Sequence, residues 1–216
     1  MQAQSVSLPK SCPNNGAKVE QISEATIDMS PAFIAGVRDN LRNAEITFDK
    51  FHVIQALNKV QDEVRRAEQS KNPLLKSTRY IWLKNPENLT EKQKKQLESL
   101  RFEKLKTAKV YQIKLTFQEI YRTVKEPLAA EAAIKKWLSW AVRSRLEPVK
   151  KFAKMVKSHF AGIMRYFTSR LTTGALEGIN SRIQEIKLRA RGFRNINNFI
   201  AMIYLEAAGL DLKLPT

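Results

Sequence analysis

The sequence predicts an α/β chain that is predominantly helical, with a short parallel β-α-β unit, a large α-helical insertion and closing helices. Three observations carry this prediction. The hydrophobic period changes twice between Lys18 and Arg66, as alternating strand and helix require. From Leu74 onward only helical spacing is found, punctuated by Pro127, Pro148, Gly174 and Gly192. The 216 residues are 43% hydrophobic, enough for one large core or two small ones.

Residues 1–16, with Pro9, Pro13 and Asn14-Asn15-Gly16, read as a flexible lead-in rich in turn formers. Val19, Ile22, Ala25 and Ile27 then fit a first strand. Ser30 is a good N-cap and Pro31 suits the first helical position, so a helix follows, with Phe33, Ile34, Val37 and Leu41 on its apolar face and Asn43 at its end. "EITFD", residues 45 to 49, is the second strand. The next segment, "KFHVIQALNKVQDEVRRAE", is helical, with Val53, Leu57, Val60 and Val64 on one side. A strand-helix-strand crossover is right-handed and its strands are parallel, which puts Asp28 and Asp49 at the same carboxyl edge of the sheet. Ligand sites of open α/β sheets gather at that edge. Two strands alone do not make a covered sheet, so the pattern points to a fragment or to neighbouring strands from elsewhere.

The β-α-β unit is assigned to residues 17–71, the helical insertion to 72–168 and the closing helices to 169–216. Within the insertion, Thr90 followed by Gln93 has capping-box spacing and opens a strongly charged helix reaching to about Lys106. Further helices are predicted over 108–125, 128–145, 147–168, 173–190 and 195–209. Trp82, Trp137 and Trp140, with Tyr80, Phe152 and Phe160, are expected mostly in the core, although aromatic rings can also stack on bases.

Thirty-eight Lys and Arg against 21 Asp and Glu give a formal charge of +17. An excess of that size points to a polyanionic partner, nucleic acid first. The basic residues concentrate in two places. Arg143, Arg145, Lys150, Lys151, Lys154, Lys157 and Arg165 share a stretch whose one acid is Glu147, and Arg182, Lys187, Arg189, Arg191 and Arg194 lie near the C-terminus. Side chains of this kind contact DNA phosphates with strong salt dependence and little sequence preference, though a charge run also fits a solvated face. Cys12 is the one cysteine, which excludes an intrachain disulfide and a four-ligand Cys/His zinc site, and a cytoplasmic location is expected. Neither a secretion signal nor an apolar run long enough to span a membrane is found.

"LTTGALEGINSRIQEIKLRARGFRN", residues 171 to 195, is the most informative stretch. On a helix, Leu176, Ile179, Ile183, Ile186 and Ala190 share one face, predicted to be buried. Glu177, Asn180, Ser181, Gln184 and Arg191 share an adjacent stripe. One acid with amides along a single edge suits a metal ligand with polar support, here Asn180 and Gln184; the same stripe also fits a solvated helix face. Asp49 is a rival acid to Asp28, with capping of the following helix, or pairing with Lys50 or Arg42, as its structural explanation. His52 and His159 are far apart in sequence and are expected to be satisfied or solvent-facing.

Taken together, "IDMSPAF", "ITFDKFHV", the long helical interval, "TTGALEGIN" and "ARGFRN" resemble the catalytic domain of bacterial insertion-sequence DDE transposases of the ISL-three type, over roughly residues 17 to 210. The resemblance implies a partial ribonuclease H-like fold. It also implies Mg²⁺- or Mn²⁺-dependent phosphodiester cleavage and strand transfer on DNA, with Asp28 as the second catalytic Asp and Glu177 as the catalytic Glu. In such a mechanism, two Mg²⁺ ions about 4 Å apart activate the attacking oxygen and stabilise the leaving one. No acid precedes Glu20, so the family's first Asp has no counterpart here, and the chain is expected to correspond to the C-terminal part of such an enzyme and to be inactive alone. Partners expected on this basis are transposon-end and target DNA, and a second copy or a full-length transposase. Two alternatives are a non-enzymatic DNA-binding or dimerising remnant of a transposase and a basic helical RNA-binding protein.

Overall fold

The computed structural model describes residues 19–101 and 103–207, with side chains at 101, 175–177, 206 and 207 outside that description. The lead-in, residues 1–16, lies outside the described residues. Among those described, two strands, β1 (Glu24–Ile27) and β2 (Glu45–Phe48), pair in parallel, joined by the crossover helix α1 (Pro31–Asn40). Pro31 is the first helical residue behind Ser30, as its fixed φ favours. The first strand is shorter than its sequence pattern predicted, because Val19–Gln21 form a 3₁₀ turn.

The register sets Glu24 directly opposite Glu45, a repulsive pair if left alone. Arg165 neutralises it. Its guanidinium reaches Glu24 at 2.8 Å and also pairs with Glu45, so this member of the first basic cluster clamps the sheet.

β2 feeds α2 (Lys50–Gln69), whose Val53, Leu57 and Val64 are buried. These meet four later helices, α5 (Lys106–Thr123), α6 (Pro127–Val142), α7 (Glu147–Ser158) and α8 (Phe160–Ser169). Phe48, Phe117, Trp137, Phe152 and Ile163 lie in the same core. The Phe117 and Trp137 rings are 4.4 Å apart, and the buried Trp137 indole donates to the Ile113 carbonyl at 2.9 Å. Trp140 and Phe160 are half-buried against this core, while Tyr80 stays exposed.

Leu75, Ile81, Trp82, Leu89, Leu97, Leu100, Leu105 and Tyr111 form a smaller core under α3 (Arg79–Leu83) and α4 (Glu91–Arg101). The predicted capping box is present: the Thr90 N–H donates to Gln93 Oε1 at 3.1 Å and the Gln93 N–H to Thr90 Oγ1 at 3.3 Å. The five-residue α3 has no period in the sequence to announce it. Lys114 of α5 holds its end, donating from Nζ to the Trp82 and Leu83 carbonyls at 2.8 and 2.9 Å, where the helix dipole favours a cation. Burial lowers the Lys114 pKa from 10.5 to about 8.

The single helix predicted over 147–168 is instead two, α7 and α8, broken at His159. The break turns α8 onto β2. At Gly162 the approach is so close that an added Cβ would lie 2.5 Å from Phe48 Cδ2 and 3.1 Å from the Ile46 carbonyl oxygen.

The chain divides into two compact units, 1–171 and 172–216. The second contains α9 (Gly174–Arg189) and α10 (Ile196–Ala207). Just past the end of α9, Arg191 and Gly192 have φ of 51° and 98°, and the Gly192 N–H returns to the Lys187 carbonyl at 3.0 Å. The predicted apolar face of α9 is only partly buried: Ile186 is covered, Ile183 is half-buried, and Ile179 and Ala190 are exposed, while the Leu176 side chain lies outside the described residues. α10 packs on α9, and one helix on another closes a seam rather than a full face.

Candidate active-site edge and basic surfaces

Ile27 and Phe48 are the last paired residues of the two strands, so Asp28 and Asp49 follow them side by side at the carboxyl edge. The Asp49 N–H donates to the Ile27 carbonyl at 3.1 Å, which carries the ladder one step past the strands. The two acids differ in what surrounds them. Asp49 is 1% exposed and is the N-cap of α2, its Oδ1 accepting the Phe51 N–H at 3.1 Å. Asp28 is half-buried, and its Oδ1 accepts the Ser30 N–H at 2.8 Å in a two-residue turn. Among the described residues no partner is found for Asp28 Oδ2.

Tyr121 of α5 stands near Asp49. Its phenol is buried, and burial, then the charges of Tyr166 and Asp49, raise its pKa above the ordinary tyrosine value. A cavity of about 590 Å³ opens between the start of α2, residues 85–87 and α5, lined by Lys50, Phe51, Ile54, Gln118 and Tyr121 among others. Phe51, at the first turn of α2, is 49% exposed, an aromatic beside the carboxyl edge that no period in the sequence marks. Its one signal is its place, two residues past a strand-end acid.

His159 makes an edge contact with the Phe48 ring, their centroids 5.0 Å apart, and desolvation followed by the Arg38 charge lowers its pKa. His52 stacks edge-on against Phe51. Among the described residues, no group of three or more His, Cys, Asp or Glu is placed to hold a metal ion.

Glu177 lies in the first turns of α9, and its side chain is outside the described residues. Asn180 and Gln184, three and seven positions on, are exposed on the same helix. Arg182, Lys187, Arg189, Arg191 and Arg194 are exposed in this unit, with Arg189 paired to Glu185. In the first unit, Lys151 and Lys154 are exposed on α7 and Lys150 is half-buried, paired with Glu147 at 2.6 Å. Asp28 and Asp49 are thus brought together at one edge, and Lys150, Lys151 and Lys154 on one helix.

The model of a transposase family, the ISL3-type DDE transposases, matches residues 7–203. The chain belongs to that family. It is 29% identical over 192 residues to the transposase for insertion sequence element IS1001 of Bordetella parapertussis, a match covering 85% of this chain and 47% of that protein. It is 30% identical over 141 residues to the transposase for insertion sequence element IS1557 of Mycobacterium tuberculosis, covering 65% of this chain and 31% of that protein. The chain therefore spans about half or less of the length of these relatives. No solved structure matches it. Among the described residues, no helix is long and apolar enough to cross a membrane.

Proposed function

We propose that this chain supplies two carboxylates, Asp28 and Glu177, to the active site of a DNA transposase that cleaves and joins phosphodiesters at insertion-sequence ends. The observation that carries this reading is the state of Asp28 in a chain of this family. It stands at the carboxyl edge of a parallel strand pair with one carboxylate oxygen fixed by Ser30 and the other uncommitted. The fold around it is read as part of a ribonuclease H-like domain, interrupted by the helical interval.

A carboxylate oxygen is the donor that Mg²⁺ or Mn²⁺ prefers, and Mg²⁺ is usually held by one or two carboxylates, with water and substrate phosphate completing its shell. Asp28 fits that demand, and Glu177 is carried over from the family pattern. The bound metal would supply Lewis-acid stabilisation of the phosphoryl oxygens and a more acidic attacking hydroxyl. The contribution of the chain is positional. The Ser30 N–H fixes the Asp28 carboxyl rotamer, so its second oxygen is presented without a search through orientations. Arg182, Lys187, Arg191 and Arg194, with Lys150, Lys151 and Lys154, neutralise DNA phosphates. Asn180 and Gln184 orient groups beside Glu177. A third carboxylate completes the site; these 216 residues by themselves are inactive in cleavage, and a full-length transposase supplies the missing group. The location that follows is the bacterial cytoplasm, on the nucleoid.

Paramagnetic Mn²⁺ tests the carboxylates directly. At low Mn²⁺, amide NMR signals near residues 28–30 should broaden first, and Asp28→Asn should abolish that broadening. Broadening that ignores Asp28→Asn would overturn the assignment. Nicking of a labelled transposon-end duplex by the pure chain, lost in Asp28→Asn, would overturn the inactivity.

A further inference from the structure

The outer faces of α6 and α7 enclose a groove of about 660 Å³. Its rims are cationic on both sides: Lys135 and Arg143 come from the α6 side, and Lys150, Lys151, Lys154 and Lys157 from α7. Glu131 pairs with Lys135 and Glu147 with Lys150, each at 2.6 Å. Arg143, Lys151, Lys154 and Lys157 have no acidic partner among the described residues. The floor between the rims is apolar, made by Leu138, Val142 and Ala153, and Val142 is 51% exposed.

This combination selects its occupant. The free cations call for a polyanion. A folded duplex keeps its base faces stacked inside and offers phosphates alone, so an apolar floor would stay without a partner. An unpaired strand carries both parts, phosphates for the rims and base faces for the floor. Helices packed side by side stand about 8–10 Å apart, a spacing that suits one strand lying along the groove.

We infer that the α6–α7 groove binds unpaired DNA, holding its phosphates on Lys151, Lys154, Lys157 and Arg143 and its base faces on Leu138 and Val142. This rests on the DNA reading above but not on the carboxylates, so it is tested without metal. The full chain, in EDTA, is titrated with fluorescent oligo(dT) and with a duplex of equal length across a salt series. For Lys151→Gln/Lys154→Gln, the slope of log K against log salt for oligo(dT) should shrink by about 1.4, the loss of two single-strand phosphate contacts. Val142→Ser, at a half-exposed position that folding tolerates, should weaken oligo(dT) binding at least threefold and leave the duplex unchanged.

Unchanged oligo(dT) binding in both variants overturns the proposal, as does an equal loss for duplex and single strand. Competition by poly-glutamate as strong as that by oligo(dT) would also overturn it, in favour of an acidic peptide. Failure of the wild-type chain to bind either DNA would sink the DNA reading itself, a result distinct from loss of the groove alone.

Discussion

The two strand-to-helix junctions of the β-α-β unit have the same plan and opposite states. After β2, Asp49 is buried, caps α2 and lies against a core shared with four further helices. After β1, Asp28 is half-buried and bonded within its own turn. Both acids stand at the edge where ligands bind in α/β folds, so position alone does not separate them. What separates them is commitment: a carboxylate already serving a helix end and desolvated by the core has less to offer a metal or a phosphate than one with an oxygen to spare.

The largest effect that would sharpen this contrast concerns the most deeply committed charge. Lys114 titrates at about 8 in the folded chain against 10.5 when unfolded. Below pH 8 both states carry the proton; between pH 8 and 10.5 the unfolded state holds more, so stability rises with pH through that window. The full gain is about 3 kcal/mol. Tyr121 acts the other way, because its raised pKa keeps the phenol protonated after the unfolded chain has lost that proton, so stability falls above about pH 10. Urea unfolding between pH 7 and 11 should therefore give a maximum, and Lys114→Met should remove its rising limb. An unchanged rising limb in that variant would show that Lys114 is not the group responsible.

Next comes the packing behind each junction. Gly162→Ala drives a methyl into Phe48 behind β2 and should cost about 1–3 kcal/mol. Gly36, on the crossover helix behind β1, has nothing within 4 Å of an added Cβ. Gly36→Ala should therefore stabilise, by roughly 0.5–1 kcal/mol, because alanine favours the helix. Thermal midpoints that move the same way in both variants would break the contrast.

These residues also show what was legible beforehand. Thr90-Gln93 announces a helix start because capping is local chemistry, and Pro31 announces one because its φ is fixed, although Ser30 before it makes no side-chain capping bond; both starts are where the sequence placed them. The break between α7 and α8 has no proline or glycine at His159. What accompanies it is tertiary, the close seat of α8 on β2, of which Gly162 is a trace in the sequence. α3 is not legible in the sequence because five residues carry no period and because its anchor, Lys114, lies 31 positions beyond Leu83. On α9 the apolar period predicts the helix and overstates its burial, since periodicity reports a face and not what covers it. At the edge, the sequence placed Asp28 and Asp49 together, and the hydrogen bonds and burial then told them apart.

Asp49→Ala removes a buried N-cap and should cost about 1–2 kcal/mol in chemical denaturation. Asp49→Asn should recover much of that, because the amide oxygen can still accept the Phe51 N–H. Recovery would mark the role of Asp49 as capping. An equal loss in both variants would mean that its charge is needed, and Asp49 would return as a rival for the metal.

The smallest effect on stability bears the most on function. Asp28→Asn keeps an oxygen for the Ser30 N–H and should change the unfolding free energy by less than about 0.5 kcal/mol. The same substitution exchanges an anionic oxygen for an amide at the position read as a metal ligand, so Mn²⁺ broadening at residues 28–30 should vanish while the fold persists. A committed residue cannot show this pattern, because its substitution is felt in the fold first. If Asp28→Asn instead destabilised the chain as much as Asp49→Ala, Asp28 would belong with the structural acids. The difference between the two junctions would then be one of exposure and not of role.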